Sequence, residues 1–454
     1  MAAATEMSAF ERRSVIFLTL LYTFRMLGLF MVLPLLAVAG EQYSGATPML
    51  IGLALGVYGL TQALFQIPFG IGSDKWGRKP LIAFGLVLFA AGSILAAFSG
   101  SIWGLIAGRA LQGSGAIAAV IMALVGDVTA ERNRSKAMAS IGAAIGVAFA
   151  VSLVLGPVLA AMGGLQLLFL VTALLALIGL LVLYFGIPQP PRMKSSPAVP
   201  LLQLLKNPAL LRLSAAIFVL HFALMALFVI VPGLLLAQLD LAVIDHWKVY
   251  LPIMLLAFVA MVPAIIWAER SKAHSRVLRL AAGALLLAGA LFLVADSGVL
   301  ALGLLAGLLL FFIGFNVFEA SLPSLLTRLL SMEQRGAASG VYSSAQFIGT
   351  FLGGLMGGAL LQYFGSSAVI ALLLLLALLI GAVVWRLPPL PEFETLFVDV
   401  HPQRVGEAHS LLVQLSGVIE VALSEAGVAS IRIDDKDFDE QQLIALKLDA
   451  PNQA

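Results

Sequence analysis

The feature that most constrains this chain is its succession of apolar segments, each long enough to cross a bilayer and separated by short polar breaks. A helical crossing needs about 20 apolar residues. Charged residues make up only 11% of the 454 residues, whereas soluble domains carry about 25%. So few charges cannot cover a soluble fold in which 61% of the residues are hydrophobic. Lipid must therefore be the solvent for most of the chain.

The length criterion predicts twelve membrane-spanning helices, here called spans, and turn residues or charges mark the breaks between them. Their expected bounds are 14–39, 48–72, 80–98, 102–127, 136–161, 165–187, 209–237, 247–268, 277–295, 299–328, 337–361 and 366–387. The predicted fold of this part is an all-α membrane protein.

Basic residues concentrate in the loops that follow even-numbered spans. These loops carry Lys75, Arg78, Lys79, Arg132, Arg134, Lys136, Arg192, Lys194, Lys206, Arg270, Lys272, Arg276, Arg328 and Arg335. Loops after odd-numbered spans carry almost none, with Lys248 as the exception. Basic loops stay on the cytoplasmic side. We therefore expect both termini in the cytoplasm, in a multi-pass protein of a bacterial inner membrane.

The longest loop between spans, residues 188–208, is rich in proline and basic residues and follows span six. It divides the membrane part into an N-terminal half of six spans, residues 1–187, and a C-terminal half, residues 209–387. Paired halves of this kind place a solute site between them, near the midplane of the bilayer. The sequence thus predicts two pseudo-symmetric six-helix halves joined by a linker.

The C-terminal tail differs from the rest in charge, because residues 391–454 hold 12 of the 24 acidic residues but only 4 of the 26 basic ones. A Pro-rich stretch at 388–393 is typical of a stiff linker. The residue pattern of the tail predicts three strands and two helices. They are strand 395–400, helix 405–415, strands 418–423 and 429–434, and helix 438–447. This βαββα order predicts a small α+β, ferredoxin-like cytoplasmic domain over 394–454.

The composition also excludes several kinds of site. The chain has no cysteine, so disulfides and thiolate metal sites are ruled out. The acidic run 434–440 lacks the spacing and central glycine of an EF-hand, and we interpret it as solvated charge. No metal, cofactor or nucleic-acid partner is predicted. For the tail domain we expect self-association or a regulatory ligand.

The most specific motif lies between spans two and three, where residues 70–80 read GIGSDKWGRKP. Asp74 stands four residues before Arg78, and Gly70 and Gly77 frame the turn. Glycine permits the positive φ that a tight turn between packed helices requires. A merely basic cytoplasmic loop accounts for the lysines and arginine, but not for Asp74 or the glycine spacing.

This motif resembles the G-x-x-x-D-[RK]-x-G-R-[KR] signature of the major facilitator superfamily. The resemblance implies that Arg78 pairs with Asp127 at the end of span four. It also implies that Asp74 acts as a latch, closing the cytoplasmic side by accepting N–H groups at the start of span eleven, where the helix dipole favours an anion. The signature and latch residues are Gly70, Asp74, Gly77, Arg78, Lys79 and Asp127.

Span four carries a second match, because residues 109–115, RALQGSG, resemble the R-x-x-Q-G-x-G element of the same family. The family implies a role in proton coupling for Arg109. An arginine inside an apolar span is costly and faces the bundle interior with a partner. A structural arginine bound to backbone carbonyls is the alternative.

Span five contains Gly156 and Pro157, which resemble the start of the family's antiporter signature, G-P-x-x-G-G. The final glycine pair of that signature is replaced by two alanines here. The retained Gly-Pro makes the resemblance favour antiport, and a proline-kinked packing face of small residues is the alternative.

Isolated ionisable residues in other spans are candidates for proton coupling. Arg25 lies in span one, His221 in span seven and Glu319 in span ten. An acid in an apolar cavity can exchange a proton near neutral pH, which makes Glu319 the first candidate. The alternatives are a fixed Glu–Arg pair and, for His221, a structural role.

Polar side chains at helical spacing are candidates for lining the cavity, with ordinary hydrogen bonding between helices as the alternative. They are Tyr58, Gln62, Gln66, Gln112, Asn316, Tyr342 and Gln346.

The resemblance extends over essentially the whole chain, including the appended domain, to a group of bacterial proton-driven exporters within the superfamily. It implies a secondary transporter with membrane lipid, protons and a small-molecule substrate as partners and the proton gradient as driving force. A membrane receptor with the tail domain as output is the alternative. The spans contain no H-x-x-x-H pair, G-x-S-x-G elbow or G-x-x-x-x-G-K-[ST] loop, so an enzyme or an ATP-driven pump is not expected.

Overall fold

The computed structural model describes residues 7–188, 201–296, 301–330, 334–387, 394–423, 427–434, 437–446 and 448–449. The predicted linker 388–393 and most of the predicted linker 188–208 lie outside these residues.

Thirteen helices precede the tail in the described part of the chain. They are α1 Ala9–Ala39, α2 Pro48–Trp76, α3 Arg78–Phe98, α4 Ile102–Ser114, α5 Ala118–Val128, α6 Glu131–Leu181, α7 Leu201–Leu204, α8 Pro208–Leu239, α9 Trp247–Arg270, α10 His274–Asp296, α11 Ala301–Leu329, α12 Arg335–Phe364 and α13 Ser366–Trp385. A single π-helical turn, Val182–Gly186, follows α6.

Eleven segments among the described residues are long and apolar enough to cross a membrane. One of them, Lys136–Gly186, contains most of α6. That helix has 51 residues and would measure about 76 Å if straight, far more than the roughly 30 Å of a bilayer core. Its backbone breaks at Gly163 and Gly164, where Gly164 takes φ 64°. The break separates spans five and six, so the predicted helical membrane fold is confirmed.

Span four differs from the uninterrupted helix that the sequence predicts. It is broken between α4 and α5, and Gly115 at the break has φ −76° and ψ 61°. A Cβ on Gly115 would lie 2.3 Å from the carbonyl oxygen of Gly85 in α3. The break therefore lets the backbones of two helices approach more closely than side chains would permit.

The two halves meet most closely through α2 and α12, at the end of the bundle opposite the loop between α2 and α3. A Cβ on Gly52 would lie 2.1 Å from the carbonyl oxygen of Gly354, and one on Gly56 would lie 2.5 Å from that of Phe351. Only glycine permits such contact between backbones. The opposite end of the bundle is closed.

The end that carries the loop between α2 and α3, here called the basic end, is arranged differently. A Cβ on Gly70 of α2, or on Gly336 or Gly340 of α12, would have no atom within 4 Å. The same two helices that touch at the opposite end have therefore separated at the basic end. The bundle is in a conformation open toward the basic loops.

The tail forms a three-stranded antiparallel sheet with two helices. The strands are β1 Glu394–Asp399, β2 Val418–Leu423 and β3 Val428–Ile433, and the helices are α14 Val405–Val413 and α15 Glu440–Ala445. The strand order is β1-β3-β2, with Leu396 opposite Ile431. Ala408, Leu412 and Ile431 are fully buried in its core. The predicted βαββα order is confirmed.

A buried arginine of the tail domain contacts the bundle. Arg432 of β3 donates from Nη2 to the carbonyl oxygen of Thr327 in the last turn of α11, at 2.6 Å, and its Nη1 lies 2.9 Å from the Glu420 carboxylate. Burial lowers the pKa of the Arg432 guanidinium, and the charge of Glu420 opposes that change. A cation at the end of a helix also satisfies a carbonyl that the helix leaves unpaired.

Candidate functional site

The loop between α2 and α3 is a single glycine turn with a charge network around Arg78. Gly77 joins the two helices with φ 96°, a conformation that side chains disfavour. Arg78 lies 2.9 Å from Asp127 through Nε, and its Nη1 lies 2.5 Å from both Asp74 and Ser73 Oγ. The loop is thereby bound to the end of α5, in the pairing that the family resemblance implied.

Further contacts bind the basic end of the N-terminal half into one frame. Lys79 is buried and donates to the carbonyl oxygen of Ile187, just after span six. Glu11 accepts from the backbone N–H of Ala130 at 2.7 Å and from Asn133. Sequence reasoning missed Glu11, which precedes the predicted span one; the available signal was the Ser8-x-x-Glu11 capping box that starts α1.

Asp74 contacts only its own half in this conformation. Its ion-pair partner among the described residues is Arg78, and the first turn of α12 has no side-chain cap from Gln334. The contact between Asp74 and the start of α12 that the latch prediction requires is not formed among the described residues, and the latch stays a prediction.

Arg109 is fully buried and bonded inside the N-terminal half. It donates to Gln112 Oε1 at 2.8 Å and to the carbonyl oxygen of Ala54 at 3.3 Å, and its guanidinium lies 5.2 Å from the centre of the Tyr58 ring. Gln112 in turn donates to Ser93. The R-x-x-Q spacing thus places both side chains on one face of α4, where they join α2, α3 and α4.

Arg25 lies at the centre of a second buried network. Its Nη2 donates to Tyr58 Oη at 2.9 Å, to Gln62 Oε1 at 2.8 Å and to the carbonyl oxygen of Gly115 at 3.2 Å. Gln62 also donates to Gln66. The broken helix of span four therefore presents a carbonyl to Arg25, and the polar stripe of α2 forms interhelical hydrogen bonds.

In the C-terminal half, the structure brings together residues from α8, α11 and α12. His221 Nδ1 lies 3.3 Å from the carbonyl oxygen of Ile217, which can only accept, so this nitrogen carries the proton. His221 Nε2 then accepts from Gln346 Nε2 at 2.8 Å. Glu319 Oε2 lies 3.8 Å from the same imidazole nitrogen. Glu319 is partly exposed, with 42% of its side chain accessible.

Other predicted cavity residues surround this cluster. Tyr342 lies within electrostatic range of Glu319, and so does Tyr22 of the N-terminal half. Asn316 lies one turn before Glu319 on α11 and is buried. Tyr342 Oη and Asn316 Nδ2 have no hydrogen-bond partner in the described part of the chain. Glu319 thus faces the space between the halves.

The C-terminal half contains a counterpart of the Arg78 network that sequence reasoning recognised only as a weak echo at 269–272. Glu269 at the end of α9 accepts from Arg328 Nη2 at 2.7 and 2.8 Å, and His274 Nε2 lies 3.3 Å away. Lys272 has φ 50°, like the glycine turn of the first half. In this half the acid lies beside the loop, at the end of α9, and the arginine lies at the end of span ten. The positions of acid and arginine are therefore the reverse of those in the Arg78–Asp127 pair.

Gly156 packs against span one. A Cβ at this position would lie 2.9 Å from the carbonyl oxygen of Met31, and Pro157 stands inside α6. The close approach of α6 to α1 accounts for the glycine. It is a packing contact in this conformation.

The fold and these contacts agree with comparisons with known proteins. A family model of the Major Facilitator Superfamily matches residues 18–329. The chain therefore belongs to this superfamily of membrane transporters, and the predicted family is confirmed. It is 41% identical over 440 residues to the inner membrane transport protein YajR of Escherichia coli K12, and the match covers 95% of this chain and 96% of that protein.

Two further similarities are more limited. The class H tetracycline resistance protein of Pasteurella multocida is 31% identical over 155 residues, which are 34% of this chain and 38% of that protein. A crystal structure of a bacterial homolog of the human lysosomal transporter Spinster, in an inward-facing and occupied conformation, aligns with a TM-score of 0.67 at 16% identity. That alignment covers 84% of this chain and 95% of the other. It demonstrates a shared fold.

Proposed function

We propose that this transporter is a proton-coupled exporter of small molecules in a bacterial inner membrane, working by alternating access between its two halves. The observation that carries the proposal is the position of Glu319, an acid ten residues before the end of α11 that faces the space between the halves. Acidic residues this deep in a span are costly and mark ion pathways. Proton relays are built from such groups.

The surroundings of Glu319 suit proton exchange. His221 is held in one tautomer by Ile217 and Gln346, so its Nε2 offers Glu319 a neutral neighbour. A neutral neighbour does not hold the carboxylate in its charged form as a permanent cation would. Glu319 can therefore take up a proton on one side of the membrane and release it on the other.

The conformational change is a rocking of one half against the other. In the structure, α2 and α12 touch at the opposite end and are apart at the basic end. In the alternate state, Asp74 meets the first turn of α12, where unpaired N–H groups and the helix dipole favour a carboxylate. Arg78 and Asp127 keep the Asp74 loop in place. The membrane potential supplies about 2.3 kcal/mol per charge per 100 mV, enough to bias this equilibrium.

Orientation and direction follow from three supports. The basic loops favour a cytoplasmic location for the basic end and both termini. The relative with 41% identity is named an inner membrane transport protein, and a more distant relative is a tetracycline resistance protein. The open conformation of the structure would then accept solute from the cytoplasm.

The test is transport in proteoliposomes under an imposed pH gradient. Purified protein is reconstituted with a pH-sensitive dye inside, and a panel of lipophilic cations, sugars and amino acids is added. We expect at least one class to drive proton movement in the native protein and none to do so in Glu319→Gln. Glu41→Gln, an exposed acid at the opposite end, is the matched control. Wild-type proton coupling in Glu319→Gln would refute the proposal.

A receptor is the second candidate, favoured by the hydrogen bond from Arg432 to the end of α11. That contact connects the tail domain to the helix that carries Glu319. A receptor would change the exposure of the tail domain on ligand binding and show no flux in the same proteoliposomes.

A further inference from the structure

Arg25 is a buried cation that has no acidic partner among the residues that the structure describes. The residue is 2% exposed, and its hydrogen bonds within the described part of the chain go through Nη2 to neutral oxygens. Its Nε and Nη1 have no hydrogen-bond partner within the described residues. A guanidinium stays charged in a protein, and a buried charge without a counter-charge is unfavourable. Arg25 is therefore incompletely satisfied in this conformation.

Glu319, in the other half, also has an atom without a hydrogen-bond partner, and its charge is opposite to that of Arg25. Its Oε2 has no hydrogen-bond partner among the residues that the structure describes. The neighbouring imidazole of His221 has its Nε2 lone pair occupied by Gln346 and lies 3.8 Å away. No permanent cation compensates a deprotonated Glu319 here.

By the rise along their helices, Arg25 lies about 9 Å farther from the basic end than Glu319. Tyr22, one turn before Arg25 on α1, is within electrostatic range of both Arg25 and Glu319. At a rise of about 1.5 Å per residue, Arg25 is about 24 Å from the start of α1 and Glu319 about 15 Å from the end of α11. Both distances are measured from the basic end, the end at which the halves are apart.

We propose that Arg25 and Glu319 form an ion pair between the two halves when the basic end closes, and that a proton on Glu319 breaks it. This inference rests on the proposed function, since it assigns the counter-charge of the same acid. Arg25 is a positioning residue here: it holds the deprotonated acid and so the closed state. The fixed Glu–Arg pair that the sequence offered as an alternative is absent in this open conformation. The proposed pair forms only in the closed state.

Closure explains why both groups carry unpartnered atoms now. Moving Glu319 into the space beside Tyr22 would remove its carboxylate from water, which is unfavourable unless a cation receives it. Arg25 offers two unused donor nitrogens for this purpose. When the Glu319 carboxylate gains a proton, the attraction is lost and Arg25 keeps only Tyr58, Gln62 and the Gly115 carbonyl.

Of the ionisable groups around the pair, Glu319 is the one that we expect to bind the proton. Among the described residues, the ionisable groups that interact with Glu319 are His221 of α8, whose Nε2 lies 3.8 Å away, Tyr342 of α12 and Tyr22 of α1. The tyrosines keep their protons in the physiological range. His221 is the one rival, and a variant separates it.

The chain has no cysteine, so a pair of spin labels can report closure directly. Labels at Ile71 of α2 and Ser339 of α12, both exposed at the basic end, give a distance distribution by pulsed electron resonance in nanodiscs. We expect the closed population to dominate at pH 8.5 and to fall at least tenfold, relative to the open one, at pH 5.5.

Substitutions at Arg25, Glu319 and His221 test whether the ion pair forms. Arg25→Gln and Glu319→Gln should each abolish the pH response, and the double variant should change the equilibrium no further than either single one. Arg25→Lys, which keeps the charge, should retain part of the response and shows that the site tolerates substitution. His221→Gln should respond as the native protein does.

Several results would overturn the inference. A native pH response in Arg25→Gln would remove Arg25 from the pair, and additive effects in the double variant would show two independent roles. Loss of the response in His221→Gln would assign the proton to the imidazole. If Glu319→Gln alone keeps the native response, the proposed proton site itself fails, which separates the two levels of the argument.

Discussion

The contact between Gly52 and Gly354 makes a quantitative prediction about the conformational equilibrium. A Cβ on Gly52 would lie 2.1 Å from the Gly354 carbonyl oxygen, and backbone cannot yield as a flexible side chain can. In Gly52→Ala, α2 and α12 must therefore separate by roughly an ångström at the opposite end, and overpacking of this kind costs about 1–3 kcal/mol. The cost falls on the state in which that end is closed.

The expected result is a shift toward the state that is open at the opposite end, by about 5- to 150-fold, since about 1.4 kcal/mol changes an equilibrium tenfold. Spin labels at Trp103 and Tyr363, which are 62% and 66% exposed, would report the separation of the halves at that end. The distance distribution should gain a longer component.

The matched control is Gly233→Ala in α8, where a Cβ would have no atom within 4 Å. Both substitutions replace a glycine inside a helix, so the intrinsic gain in helix propensity, about 1 kcal/mol, is common to both. An unchanged distance distribution in Gly52→Ala, or an equal shift in Gly233→Ala, would refute the reasoning.

Three further predictions concern the basic end and the tail. Asp74→Asn should reduce transport severalfold while leaving membrane insertion intact, because an amide cannot complement the α12 dipole as a carboxylate does; unchanged flux in proteoliposomes would exclude the latch. Asp127→Asn should lower the thermal unfolding midpoint of the purified protein, since a charge-assisted hydrogen bond to Arg78 contributes about 1.5–3 kcal/mol; an unchanged midpoint would contradict this. Arg432→Gln should release the tail domain from Thr327 and speed protease cleavage before the domain without stopping transport; native cleavage rates would show that other contacts hold it.

Much of the fold was predictable because its determinants are local. Span length follows from bilayer thickness, and the break at Gly163 and Gly164 is a turn signal in the sequence itself. The same holds for the loop at Gly77, whose positive φ was expected from glycine spacing. The tail elements follow from alternation and helical spacing, and their confirmed order needed no long-range information.

The partners of the buried charges could not be predicted. Arg25 meets Tyr58 and Gln62 from another helix, and its third acceptor, the Gly115 carbonyl, becomes available only because span four is broken. Hydropathy does not specify how one helix is rotated against another. It indicated that Arg25 is costly but could not identify its hydrogen-bond acceptors.

By itself, the sequence determined the membrane environment, the number of spans, the family motif and the separate tail, since each depends on residue types within one segment. The tertiary structure alone decided which side chains meet. It brought His221, Glu319 and Gln346 together from three helices and paired Glu269 with Arg328. It also left the basic end open, whereas contacts between glycines close the opposite end. These outcomes depend on how helices pack at distances of a few ångströms, which local pattern does not encode.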